Sequence, residues 1–188
     1  MITKSRLFIA TALLSLNCPA IAEVIDISGN GFQIRHEVQL NVKAEQAYDI
    51  LVTQVANWWN PSHTYSQDAR NLSIDARPGG CFCEKLPNGG GVQHLTVVYV
   101  APGKSLRMTG ALGPMQGSGL AGSMSWDLSP QKAPNMGETG NTGSKLVLTY
   151  SVGGYMLGGF EKMAPAANGM LAEQIKRYQN LVNTGKPE

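Results

Sequence analysis

Pro165-Ala-Ala-Asn-Gly-Met-Leu-Ala-Glu-Gln-Ile-Lys-Arg-Tyr-Gln-Asn-Leu-Val-Asn-Thr184 is the only stretch that reads as a long helix. Ala167, Met170, Leu171, Gln174, Ile175, Tyr178, Leu181 and Val182 recur at steps of three and four, which gathers them on one face. Glu173, Lys176, Arg177 and Asn180 fall on the other side. Pro165 suits a first turn, where its missing N–H costs nothing, and Gly185 followed by Pro187 ends the run. Almost everything upstream reads as short strands, so the stripe of this lone amphipathic helix has only a sheet to bury itself against. The expected fold class is α+β, a curved antiparallel sheet folded round the C-terminal helix.

Working outward, Phe32 to Val42 alternates between apolar and polar residues, the pattern of a half-buried strand. His36 lies on its apolar face and reads as a core histidine rather than a catalyst. Glu23 to Gly31 reads as an irregular lead-in. Two short helical pieces follow, Ala44 to Thr53 and Val55 to Trp59, the second stopped by Asn60-Pro61. Two adjacent tryptophans cannot both enter one core from a helix. One of Trp58 and Trp59 is expected to plug the helix–sheet seam and the other to face a groove or cavity mouth. His63, Thr64 and Tyr65 read as an exposed polar loop. Further strands are expected at Leu72 to Ala76, Leu106 to Leu112, Ala121 to Leu128 and Lys145 to Val152. Ser129 to Gly143 between the last two reads as a polar loop and the segment best suited to disorder.

Pro78-Gly-Gly-Cys-Phe-Cys-Glu-Lys85 is the most distinctive stretch, followed by a turn at Leu86 to Gly91 and a strand from Val92 to Val100. Asn88-Gly89 marks a hairpin tip. Centring the turn there pairs Cys83 with His94, Phe82 with Leu95 and Glu84 with Gln93. Cys81, Cys83, His94 and Thr96 then share one face, and Phe82, Glu84, Leu95 and Val97 the other. Alternate residues of an extended strand sit near the upper Cα limit for a disulfide, so Cys81 and Cys83 read as free, buried thiols.

At the N-terminus, Lys4 and Arg6 precede the apolar run Leu7 to Leu16 and the small-x-small site Ala20-Ile21-Ala22, the layout of a secretory signal. Residues 1–22 are accordingly expected to be removed, leaving 23–188 as one domain in the periplasm or outside the cell. The segment holds two of the 15 basic residues and none of the 13 acidic ones, which leaves the remainder balanced. A balanced chain without basic runs has no electrostatic reason to seek nucleic acid or an anionic membrane, and no apolar run is long enough to span a bilayer.

Several constellations could carry chemistry. Cys81, Cys83 and His94 offer soft ligands on one face, but no fourth ligand or turn spacing accompanies them, so neither a metal nor another cofactor is expected. A Cys83–His94 nucleophile pair lacks a third group to orient the imidazole. Glu84 with His36 or His94 forms a possible acid/base pair, since a carboxylate in an apolar pocket has a raised pKa. The glycine runs lack the spacing of a phosphate cradle.

Taken together, the strand before the helix at Ala44, the paired Trp58-Trp59, the Pro78 to Glu84 strand entry, Gly91-Val-Gln-His-Leu-Thr-Val-Val98 before Pro102-Gly-Lys-Ser-Leu106, and the helix at Pro165 resemble the START-like, or SRPBCC, superfamily. The nearest branch is similar to activators of the heat-shock-protein ATPase, within the wider group of polyketide cyclase/dehydrase-like proteins. The resemblance covers nearly all of residues 23–188 and implies a helix-grip fold enclosing a cavity for an apolar or amphipathic small molecule, a lipid included. The lining it implies is Trp58 or Trp59, Phe82, Glu84, Leu95, Trp126, Met170, Gln174 and Tyr178, with Glu84 as polar anchor. If the hairpin faces the other way, Cys83 and His94 line the cavity instead. The alternatives are an enzyme of the cyclase, dehydratase or hydrolase kind using Glu84 or His94 as general acid or base, and a protein-interaction module using the aromatics near Trp58 and Tyr65. An export signal is unusual for this branch and argues against a cytosolic chaperone partner.

Overall fold

A computed structural model of the chain describes residues 21–132 and 142–188. The expected signal segment lies outside the described residues, apart from Ile21 and Ala22, which begin the first strand.

The alternating stretch forms β2 (Gly31–Leu40), in which Phe32, Ile34, His36, Val38 and Leu40 are buried and the intervening side chains half-buried. It is preceded not by an irregular lead-in but by β1 (Ile21–Ser28), paired antiparallel with β2. That strand escaped the sequence reading because it is an edge strand with a register shift between Val24 and Asp26. Val24 is only half-buried and Ile25 and Ile27 are exposed, so no apolar alternation marks it.

Two helices follow, α1 (Ala44–Thr53) and α2 (Val55–Trp58), then β3 (Leu72–Ile74), β4 (Cys81–Lys85), β5 (Gly91–Ala101), β6 (Ser105–Thr109), β7 (Gly119–Lys132), β8 (Thr142–Tyr155) and α3 (Met163–Thr184). The strands form one antiparallel sheet in the order β1-β2-β8-β7-β6-β5-β4-β3. Ser129–Lys132 and Thr142–Gly143, expected as loop, continue the β7–β8 ladder; residues 133–141 lie outside the described residues. Polar composition misled there because the ladder is made by backbone groups that any residue supplies, and Ser129, Pro130 and Gln131 are exposed.

Helix α3 lays Ala164, Ala167, Leu171, Gln174, Ile175, Tyr178 and Val182 against the inner face of the sheet. Gly185 takes a left-handed conformation (φ 79°) and its N–H donates to Leu181 O (2.9 Å), which closes the helix. Trp58 sits where helix meets sheet, its ring 5.7 Å from that of Trp126 and 5.6 Å from that of Tyr178. The architecture is the α+β helix-grip arrangement expected from the sequence. No helix among the described residues is long and apolar enough to cross a membrane.

Candidate functional site

The hairpin β4–β5 decides what faces inward. Phe82 pairs with Leu95 as expected, but the register then shifts: Cys83 faces Gln93 and Glu84 faces Val92. His94 is the extra residue of a β-bulge, and the bulge turns it to the inner face beside Leu95 rather than to the outer face beside the cysteines. Cys81 and Cys83 are joined by a disulfide and only half-buried, contrary to the free buried thiols expected. Their Cα atoms lie 5.4 Å apart, closer than two residues of regular extended strand, and the register shift falls within the same pair. Their sulfurs are bonded to each other and His94 faces away from them. The three therefore form neither a soft ligand trio nor a Cys–His nucleophile pair.

Inward rotation brings His94 to Glu84, Nε2 to Oε2 at 3.0 Å, with both residues buried. The Glu84 carboxylate also accepts the N–H of Tyr65 (3.1 Å) and of Ser66 (2.5 Å). Burial pushes the Glu84 pKa up, but the hydrogen bonds from Ser66, Tyr65 and His94 outweigh it and hold the carboxyl below its ordinary value. This reverses the raised pKa expected for an apolar pocket, because Glu84 is hydrogen-bonded rather than merely buried. Burial holds the His94 pKa down, and Glu84 restores only part of it. At neutral pH the pair is therefore a carboxylate and a neutral imidazole whose Nε2–H donates to Glu84. The remaining nitrogen, Nδ1, is buried and has no hydrogen-bond partner among the described residues.

His94 lines a cavity of about 280 Å³. Trp59, Leu112, Pro114 and Met170 supply apolar wall, and Ser62 to Tyr65 form one side. Both tryptophans are buried because α2 ends at Trp58, and Trp59, already extended, points elsewhere. The Trp59 indole packs on Phe82 (5.1 Å) and donates its N–H to His63 O (3.0 Å). Phe82 in turn packs on the His94 ring (5.1 Å), and the Tyr65 ring stacks with the same imidazole at 6.0 Å. On the far wall, Gln116 Nε2 donates to Gln93 O (2.5 Å), and the Leu112 N–H donates to Tyr150 Oη (2.8 Å). These bonds tie the turn at Gly113–Gly117 to the bulge and to β8. Gly110 precedes it with φ 136°, a conformation that favours glycine, and a Cβ there would come within 3.3 Å of His94 O.

Of the lining expected from the resemblance, Trp59 and Met170 face this cavity, as does His94. Trp58, Trp126 and Tyr178 fill the core instead, with Tyr178 Oη donating to Ala47 O (2.7 Å). Phe82, Glu84 and Leu95 are buried behind the wall. Gln174 is spent structurally: its Oε1 accepts the N–H of Asn60 (2.7 Å). His36 does not meet Glu84; it lies on β2 beside Asn168 of α3, and burial holds its pKa down. Of the expected exposed loop, Tyr65 is exposed while His63 and Thr64 are half-buried, and all three form the rim. The signal available was their position just past the Asn60-Pro61 stop that follows Trp59.

No protein-family model matches the sequence, and no curated protein matches it. Solved structures do match in fold. A conserved protein of unknown function from Enterococcus faecalis, EF2215, superposes with a TM-score of 0.56 at 13% identity, over 88% of this chain and 78% of that one. CalU16 from Micromonospora echinospora gives 0.53 at 12%, over 90% and 86%. CV1439 from Chromobacterium violaceum gives 0.52 at 16%, over 80% and 96%. At these identities the likeness establishes the fold alone.

Proposed function

We propose that this chain is an exported START-like (SRPBCC) protein that binds a small, mainly apolar molecule in the cavity between Trp59, His94, Leu112 and Met170. The observation that carries the reading is a cavity of about 280 Å³ walled largely by the apolar side chains of Trp59, Leu112, Pro114 and Met170, with the His94 ring beside them held in place by Glu84. Such a wall removes the apolar surface of a ligand from water. The disulfide supports the export half of the reading, because such bonds persist in oxidising compartments.

The Glu84–His94 pair also invites a general-base reading, with Nδ1 as the base. Binding fits better. Glu84 is committed to three hydrogen bonds and held ionised, so it has no proton to give at neutral pH, and the lowered pKa of His94 makes it a weak base. The test is native mass spectrometry of the chain isolated from producing cells, then mass analysis of the denatured extract. A stoichiometric small molecule released only on denaturation is expected. An empty protein that also fails to take up naphthol in calorimetry would overturn the reading.

A further inference from the structure

We infer that the Cys81–Cys83 bridge is a reversible thiol–disulfide exchange site, open on the outer face of the sheet to low-molecular-weight thiols. This goes beyond the binding proposal and does not depend on it.

Phe82 and Glu84 are buried on the inner face, so the alternation of β4 turns Cys81, Cys83 and Lys85 to the outer one. Both cysteines are half-buried there, in open surroundings. Ser73 of β3 and Gln93 of β5, which flank Cys83, are exposed, as is Lys85. The bridge joins nothing that the sheet does not already hold. β4 is laddered to β3 on one side and to β5 on the other. Its start is secured by the Asp75 N–H on Cys81 O (2.9 Å) and the Val97 N–H on Gly80 O (2.8 Å). The two cysteines are separated by one residue, so their cross-link closes a loop too short to restrict the unfolded chain much. A bridge that contributes so little to the fold and lies on an open face has the properties of an exchangeable disulfide rather than of a resistant structural one.

Once opened, the two sulfurs stay on one face of one strand, each at high effective concentration for the other, so the bridge re-forms readily. Lys85 follows on that face, and a cation beside a thiol favours the thiolate through which exchange runs. The Asp75 carboxylate, on the residue opposite Cys81, is paired with Arg77 (2.8 Å), which offsets its negative charge. In the reaction, a thiolate from the small thiol attacks one sulfur of the bridge. A mixed disulfide forms, the Cys81–Cys83 bond breaks, and the other cysteine leaves as a thiolate. A second small thiolate then displaces the first as the symmetric disulfide. Two thiols are thereby oxidised, and their two electrons and two protons reduce the bridge to a dithiol.

The test is the rate at which dithiothreitol opens the bridge, read by alkylation and mass measurement, in native buffer and in denaturing urea. The folded protein should react within about tenfold of the rate of the unfolded chain. A bridge reached only through unfolding would react about a thousandfold more slowly, or slower still. Leu171→Ala, which lowers stability at a core position, should leave the native rate unchanged. Oxidised glutathione should then re-form the bridge. In Cys83→Ser it should instead leave a mixed disulfide on the folded chain, located at Cys81 by peptide mapping. If native reduction is about a thousandfold slower than in urea and quickens in Leu171→Ala, the bridge is a shielded structural link and the inference falls. It falls equally if folded Cys83→Ser takes up no glutathione at Cys81.

Discussion

Glu84 and His94 meet across β4 and β5, 3.0 Å apart, although a regular hairpin centred on Asn88-Gly89 would leave them on opposite faces. The bulge makes the contact, and the contact in turn fixes the loop at Tyr65–Ser66, whose two N–H groups end on the same carboxylate. One buried anion therefore joins a strand, a bulge and the rim of the cavity.

Replacing that anion should be costly. Glu84→Gln keeps the shape but loses the charge, and its amide nitrogen must face one of three donors. Breaking a buried, hydrogen-bonded charge network costs about 3–5 kcal/mol, and the retained amide oxygen should place this variant near about 2–4 kcal/mol. Urea denaturation at neutral pH measures it. A loss below about 1 kcal/mol would mean that the carboxylate does not organise the rim.

Acid should destabilise the protein in two stages. His94 and His36 have folded pKa values held below their ordinary 6.5 by burial, so below that pH the unfolded chain takes up protons first and stability starts to fall. Glu84 has a folded pKa held below its ordinary 4.5, so its contribution is intact above that pH and is lost as pH falls through the folded value. Unfolding free energy measured from pH 8 down to pH 3 should thus bend near each ordinary value. His36→Leu should flatten the upper limb only. An unchanged upper limb in that variant would assign the whole of it to other groups.

The disulfide should couple to the cavity through the bulge. A bridge closing so short a loop removes little unfolded-state entropy, about 1–2 kcal/mol on the chain-entropy model. Its larger effect is expected on register: with Cys81→Ser and Cys83→Ser, β4 is free to extend and His94 can fall opposite Cys83's position, on the outer face. The imidazole NMR signals of His94 should then lose the pH behaviour of a buried, carboxylate-bound ring. Retention of that signature would show that the bulge stands without the bridge.

What the sequence revealed follows where periodic burial does. The α3 stripe, the β2 alternation and the helical start at Ala44 were legible because each element buries one face against the core. Edge strand β1 was not, since it buries too little to leave a pattern. The site was half legible. Glu84 and His94 stood out as a possible pair of ionisable groups in adjoining strands, but a single-residue bulge inverts a face without any change of composition, and a regular register keeps the two on opposite faces. The disulfide was missed for the same reason: the shortened Cα spacing belongs to the irregular strand, not to the regular one assumed.

Neighbours Met170 and Leu171 separate stability from binding on one helix. Leu171 is fully buried between α3 and the sheet, whereas Met170 is half-buried and faces the cavity. Leu171→Ala leaves a void in close-packed surroundings and should cost about 2–5 kcal/mol. Met170→Ala removes a side chain already beside open volume, so little packing is lost and the stability cost should stay near about 1 kcal/mol. Its effect should fall on the ligand, which loses one apolar wall: naphthol affinity should drop several-fold in Met170→Ala. In Leu171→Ala, compared under conditions where it remains folded, affinity should hardly move. Equal stability losses in the two variants would place Met170 in the core, and the cavity wall would have to be redrawn without it.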